Sequence, residues 1–239
     1  EEWLKKHDYH LSQFDCLSFR CGLIRPLEGG IYELNEVIVD EATSGKYGDH
    51  AVNLGMKIGY EWSQQYHIPA IVLDGPTTNE LSDLAKVSGF GGKERRSVFH
   101  ALNQKRTIRQ HCQQHNLDPY ESNFVVAHLG GGITVSAHQN LKAIDVTNGV
   151  DGEGPFSPER TGYLSHDILF ELVEEYNHDL KKLKQDLYKY GGVYSYTQSN
   201  DIKQLTEDSK YQHIIDAMIY QVSKSIGAMA TVLNGQLDA

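Results

Sequence analysis

Apolar positions Ile214, Ile215, Met218, Ile219, Val222, Ile226, Met229 and Leu233 recur three and four apart, which predicts an amphipathic helix over 211–233. A similar spacing of Val52, Met56, Tyr60 and Trp62 predicts a helix over 51–66. Val98, Ala101, Leu102 and Ile108 predict another over 94–115. Shorter helices are expected over 79–87, 165–176, 178–189 and 200–207. The polar stretch 1–15 reads as helix or helix end. Compact apolar runs at 16–19, 69–74, 123–129, 133–137 and 142–147 predict strands, and 35–40 is expected to be extended. Glycines and prolines make 23–32, 44–50 and 149–162 loops. Gly75-Pro76 breaks the chain after a strand and is the expected domain boundary, giving domains at 1–75 and 76–239.

The chain has 239 residues, enough for one large or two small domains. Lys plus Arg number 22 against 32 Asp plus Glu, a formal charge of −10. So acidic a surface argues against nucleic acid as a partner, which needs a basic footprint. A local anion site remains compatible with it. Cys16, Cys21 and Cys112 are odd in number and lack C-x-x-C spacing, so a reducing cytoplasmic setting is expected and no disulfide framework. Cys16 and Cys21 read as core thiols. No apolar run approaches the roughly 18 residues of a membrane span, so no membrane partner is expected. The chain opens on Glu1 and closes on Asp238-Ala239, and is expected to be a piece of a longer protein.

Four stretches carry candidate chemistry. His128-Leu129-Gly130-Gly131-Gly132 runs a strand into glycines whose amides can cradle phosphate oxygens, or simply turn a hairpin. The string from Asp151 to Arg160 fixes an unusual backbone path and ends in a guanidinium suited to a phosphoryl group; a surface pair with Glu153 or Glu159 is the plainer alternative. His100, Asn103 and Lys105 lie within about one helical turn. Asp74 closes its strand where α/β folds place catalytic carboxylates. His111, Cys112 and His115 share metal-ligand spacing, but without a third ligand in range they read as a solvated helix face.

These residues resemble the butyrate kinases, a group in the acetate kinase branch of the sugar kinase, heat-shock ATPase and actin superfamily. The likeness runs through Arg20-Cys21-Gly22-Leu23, Gly48-Asp49-His50-Ala51-Val52-Asn53, Phe99 to Lys105, Ala127 to His138, Asp145 to Gly162 and Ser199-Asn200-Asp201. It implies an α/β fold of two ribonuclease-H-like, actin-like ATPase domains with a cleft between them. The family's opening Asn-Pro-Gly-Ser-Thr-Ser loop and closing Leu-Thr-Gly-Gly loop are not in these residues, so both domains are expected to be truncated. It implies ATP-dependent, Mg²⁺-assisted phosphorylation of a short-chain carboxylate to an acyl phosphate, with ADP as the other product, in a homo-oligomer. Acetate, propionate or branched acids are the alternative substrates, and an incomplete, non-catalytic relative the other reading. By motif, Arg20, Asp74, His100 and Arg160 would be catalytic, with Asp74 also near the metal. His128, Gly130, Gly131, Gly132, Asp201 and Lys203 would contact the nucleotide. Arg20, His50 and Asn53 would face the acid. Cys21 and Lys203 stand where the family pattern has Gly and Arg.

Overall fold

The structure is a computed structural model describing residues 2–48 and 50–239. Glu1 and Asp49, the latter within the Gly48-Asp49-His50 string, lie outside the described residues. The chain divides into two units, Glu1–Asn79 and Glu80–Ala239. The division falls beyond Gly75-Pro76. Residues 76–79 stay with the first unit because Thr78 bridges Leu27, and Asn79 N donates to Leu27 O at 2.8 Å.

The first unit begins with α1 (Glu2–Lys6) and a 3₁₀ turn at Leu11–Gln13. Three strands follow, β1 (Leu17–Arg20), β2 (Ile31–Glu33) and β3 (Ala70–Leu73), with α2 (Glu36–Thr43) and α3 (Val52–Tyr66) between the second and third. The sheet order is β1-β3-β2, with β1 parallel and β2 antiparallel to β3. Ile24, Leu34, Val39, Met56, Ala70 and Val72 form its core. Residues 35–40 are helical, not extended: the Asn35 side chain accepts from Ile38 N at 3.0 Å and caps α2. Strand β2 arises inside what reads as a loop, and Cys16 is exposed rather than in the core.

The second unit contains α4 (Asp83–Lys86), α5 (Ala101–His115), β4 (Asn123–Leu129), β5 (Ile133–Gln139), β6 (Lys142–Val146), α6 (His166–Glu175), α7 (Leu180–Lys189), α8 (Gly192–Thr197), α9 (Ile202–Leu205) and α10 (Gln212–Val232). Its sheet is an antiparallel meander, β4-β5-β6. Ile133, Val135 and Ala137 pack with Ile215, Met218 and Val222 of α10. Thr134, Ser136 and His138 alternate with them and turn the other way, toward α5, where they too are buried. Ile108 and Cys112 of α5 pack on Phe124 and Leu141, so the sheet is covered on both faces.

The predicted 94–115 helix starts only at Ala101. Arg95 holds the preceding segment: its guanidinium donates to Ala85 O and Val146 O, each at 2.8 Å, and pairs with Asp145 and Glu153, each at 3.0 Å. The 79–87 helix shrinks to α4, because Glu80 turns to Lys105 at 2.6 Å and to Ala143 N at 2.8 Å. Gly191-Gly192 follow the end of α7 as expected, but Gly192 at φ +57° also opens α8; a Cβ there would run into the Ser157 carbonyl. Of the apolar stripe on α10, Ile219 and Ile226 are exposed. Among the described residues, no helix is long and apolar enough to cross a membrane.

Candidate functional site

The turn between β4 and β5 gathers most of the expected site residues. Arg160 lies on Gly132: a Cβ at 132 would stand 2.6 Å from Nη1 and 2.9 Å from Cζ. A side chain at 132 would therefore displace this guanidinium, the movable end of Arg160. Burial pushes the Arg160 pKa down, with the neighbouring Glu159 carboxylate acting against that shift. Among the described residues the Arg160 side chain makes no hydrogen bond; only its backbone does, with Ser157. The Ser157 hydroxyl donates to Gly131 O at 2.7 Å, which locks the 149–162 loop to the glycine turn. Glu159 lies over Gly131 and accepts from Asn200 Nδ2 at 2.8 Å.

His100 and His128 stack face to face, centroids 3.7 Å apart and planes 10° apart. His100 Nδ1 meets Thr134 Oγ1 at 2.9 Å, and His128 Nδ1 meets Asn103 Oδ1 at 3.0 Å. Burial lowers the His128 pKa. His128 Nε2 lies 3.0 Å from where a Cβ of Gly130 would stand, so the ring pair abuts the glycine turn.

A cavity of about 520 Å³ opens beside that turn. Gly130, Gly131, Glu159, Asn200 and Asp201 form its polar part, and Ile202, Met218 and Ile219 belong to its apolar wall. A volume of this size suits a small organic ligand. Asp201 is also the N-cap of α9, accepting from Gln204 N at 3.0 Å. Lys203 is exposed on α9 and is not among the cavity's lining residues.

The remaining candidates belong to the first unit. Arg20 ends β1 in register with Leu73, so Arg20 and Asp74 share the carboxyl-end edge of a parallel pair. Asp74 is buried and left-handed at φ 36°, a backbone state that carboxyl residues enter at a cost of about 1–3 kcal/mol. Asn53 is buried; its Nδ2 donates to Ala42 O at 2.8 Å and Gly48 O at 3.1 Å, and its Oδ1 accepts from Leu23 N at 3.0 Å. Its amide thus ties two loops together. His50 is exposed, and its Nδ1 accepts from Val52 N at the start of α3.

The sequence assigns no role to Thr134 or Asn200, and to Glu159 only that of an ion-pair partner, although all three fall within the stretches that carry the family likeness. The Thr134-x-Ser136-x-His138 alternation was the available signal for a polar face beneath α5. His111 packs edge-on to Phe124 at 5.7 Å, Cys112 is core, and among the described residues no three His, Cys, Asp or Glu side chains gather for a metal.

The family model described as the acetokinase family matches residues 92–239. The chain belongs to the acetokinase family. Solved structures share its fold: an acetate kinase from Porphyromonas gingivalis, at 18% identity and TM-score 0.82, over 97% of this chain and 63% of that one. A propionate kinase from Francisella tularensis subsp. tularensis SCHU S4 matches at 15% identity and TM-score 0.80, over 97% and 63%. An acetate kinase from Entamoeba histolytica matches at 17% and 0.80, over 98% and 62%. This acetokinase chain therefore shares the α/β fold of those solved structures, and spans under two thirds of the length of those solved chains.

Proposed function

We propose that the protein to which this chain belongs transfers the γ-phosphoryl of ATP to a short-chain carboxylate, butyrate by preference, giving an acyl phosphate and ADP. The observation that carries this is the Arg160 guanidinium: half-buried, lying on Gly132, and making no side-chain hydrogen bond among the described residues. A buried guanidinium in that state favours an anion beside it. The glycine turn offers backbone amides to the same anion.

The acid needs no general base, since a carboxylate is already ionised near pH 7. The barrier is the approach of one anion to another, so positioning and charge neutralisation carry the catalysis. In this reading Arg160 stabilises the migrating phosphoryl, and His100 and His128 flank it. Gly130, Gly131 and Gly132 hold phosphate oxygens, while Asp201 and Lys203 serve the nucleoside. Arg20 and Asp74 come from the first unit, Arg20 toward the acid and Asp74 toward magnesium. Magnesium characteristically takes one or two carboxylates and completes its shell with phosphate oxygens and water, which a single Asp74 fits. It would supply charge neutralisation when bound. His50 faces the acid; Asn53, whose amide is spent on Leu23, Ala42 and Gly48, shapes that loop. Unpaired thiols at 16, 21 and 112 fit a cytoplasmic setting. A homo-oligomer is the proposed assembly.

Acetate or propionate is the second reading, favoured by the activities in the names of the matched structures. Acyl phosphate formation assayed with Mg-ATP against acetate, propionate, butyrate and isobutyrate separates the two. A higher kcat/KM on butyrate is expected. No turnover on any acid by the longer protein would remove the kinase reading altogether.

A further inference from the structure

Beneath His100 lies a chain of buried polar groups with a definite direction. Gln104 is fully buried, and its Nε2 lies 3.2 Å from Thr134 O and 3.1 Å from Thr134 Oγ1. A backbone carbonyl only accepts, so the Gln104 amide must present its NH₂ to Thr134. Its Oε1 then faces the other way, where it accepts from the Ser136 hydroxyl and from His138 Nε2 at 3.0 Å. His138 is itself buried, and among the described residues its Nδ1 has no hydrogen-bond partner. A bare lone pair is tolerated there better than an unsatisfied N–H, so the His138 proton resides on Nε2. The whole run is oriented outward from the core.

Thr134 Oγ1 is the outer end of this run. It already receives a proton from Gln104, and Thr134 is buried. Among the described residues its own hydroxyl proton has one partner in reach, His100 Nδ1 at 2.9 Å. Were His100 to donate from Nδ1, Thr134 would be left with a buried, unused hydroxyl proton.

We infer that Thr134, oriented by Gln104 and His138, is a positioning residue that locks His100 in the tautomer with its proton on Nε2. The stacked His128 ring restrains His100 from turning. This rests on the proposed phosphoryl site: there, a fixed Nε2–H is a preorganised donor to a phosphate oxygen, as charge-developing sites require. The supply of that donor thus depends on residues buried under α5 that reach no ligand themselves.

The test is proton-detected ¹⁵N spectroscopy of the full chain with labelled histidine, which distinguishes the two ring nitrogens by their shifts and two-bond couplings. His100→Gln identifies the signal. The expected wild-type result is a protonated Nε2 and a bare Nδ1. Thr134→Ser keeps that pattern, and Thr134→Val, which removes the donor at nearly constant shape, gives a mixture of tautomers. A wild-type His100 protonated on Nδ1 overturns the inference, as does a Thr134→Val spectrum unchanged at His100. The wild-type spectrum decides the matter even if the valine variant folds poorly. In the longer protein, Thr134→Val is expected to lower kcat about tenfold with the KM for ATP within about twofold, and Thr134→Ser to restore kcat. Full kcat in Thr134→Val counts against the positioning role. Absence of turnover in the wild type would count against the kinase reading and leave the spectroscopic result intact.

Discussion

The Arg160 guanidinium occupies the space that a side chain on Gly132 would need, with Nη1 2.6 Å from the Cβ position. The two are 28 residues apart in sequence, yet each sets what the other can be. Gly132→Ala should therefore push Arg160 off the turn while leaving β4 and β5 paired. Misplacement of such a group by about 1 Å costs on the order of 100-fold in rate. For the proposed phosphoryl transfer by the longer protein, kcat should fall by about that factor with a melting temperature close to wild type. An alanine variant with wild-type kcat would show that Arg160 acts elsewhere.

Lys105 and Glu80 form an ion pair at 2.6 Å with each side chain only 4% exposed. Removing one partner from so dry a pair takes this counter-ion from the other's buried charge, which costs about 3–5 kcal/mol. Lys105→Met should lower stability in urea by that order. Adding Glu80→Gln removes the buried negative charge and keeps an acceptor for Ala143 N, so the double variant should recover a large part of the loss. A double variant weaker than Lys105→Met would contradict this.

The apolar periodicities of α3 and α10 are legible because burial on one face writes itself into spacing, and β4 is legible as a continuous apolar run because its sheet is covered on both faces. The start of α5 is not, because what stops the helix at Ala101 is Arg95 reaching Asp145 and Glu153, some 50 residues on. Helix α2 is not legible because three consecutive β-branched residues, Val37, Ile38 and Val39, stand in its first turn, and its Asn35 cap outweighs their strand preference. The glycine turn and the 149–162 loop were visible as candidate chemistry. Their union through Ser157 and Gly131 required coordinates, as did the polar face of β5. An alternation such as Ile133-Thr134-Val135-Ser136-Ala137-His138 ordinarily means one wet face, and here α5 covers it.

Arg95 is the fastening of the long loop: besides Asp145 and Glu153 it takes the carbonyls of Ala85 and Val146. Arg96 pairs with Asp151 at 2.9 Å, but at the surface, where such pairs contribute about 0–1 kcal/mol. Arg95→Met should therefore free the loop and Arg96→Met should not. Limited proteolysis reads the difference, with new cleavage expected between 150 and 155 in the first variant alone. Equal cleavage in both would assign the fastening to other contacts.

His138 makes the stability of the second unit depend on pH. Burial, reinforced by the nearby Lys105 ammonium, drives its pKa from 6.5 down to about 3. Lys105 is in turn paired with Glu80, and the other groups around the ring, Gln104, Ser136 and Phe99, are uncharged. Folding thus favours the neutral ring. Its contribution is complete above pH 6.5, where the unfolded chain is neutral too, and is lost as the pH falls from there toward 3. In that window each pH unit removes up to about 1.4 kcal/mol, so roughly 2–3 kcal/mol should vanish between pH 6.5 and 4.5. Urea midpoints at half-unit steps should trace the decline for the wild type, and His138→Asn, which does not titrate there, should flatten it. Parallel slopes for the two proteins would mean that the ring is reached by solvent, or by a charge that stabilises it when protonated.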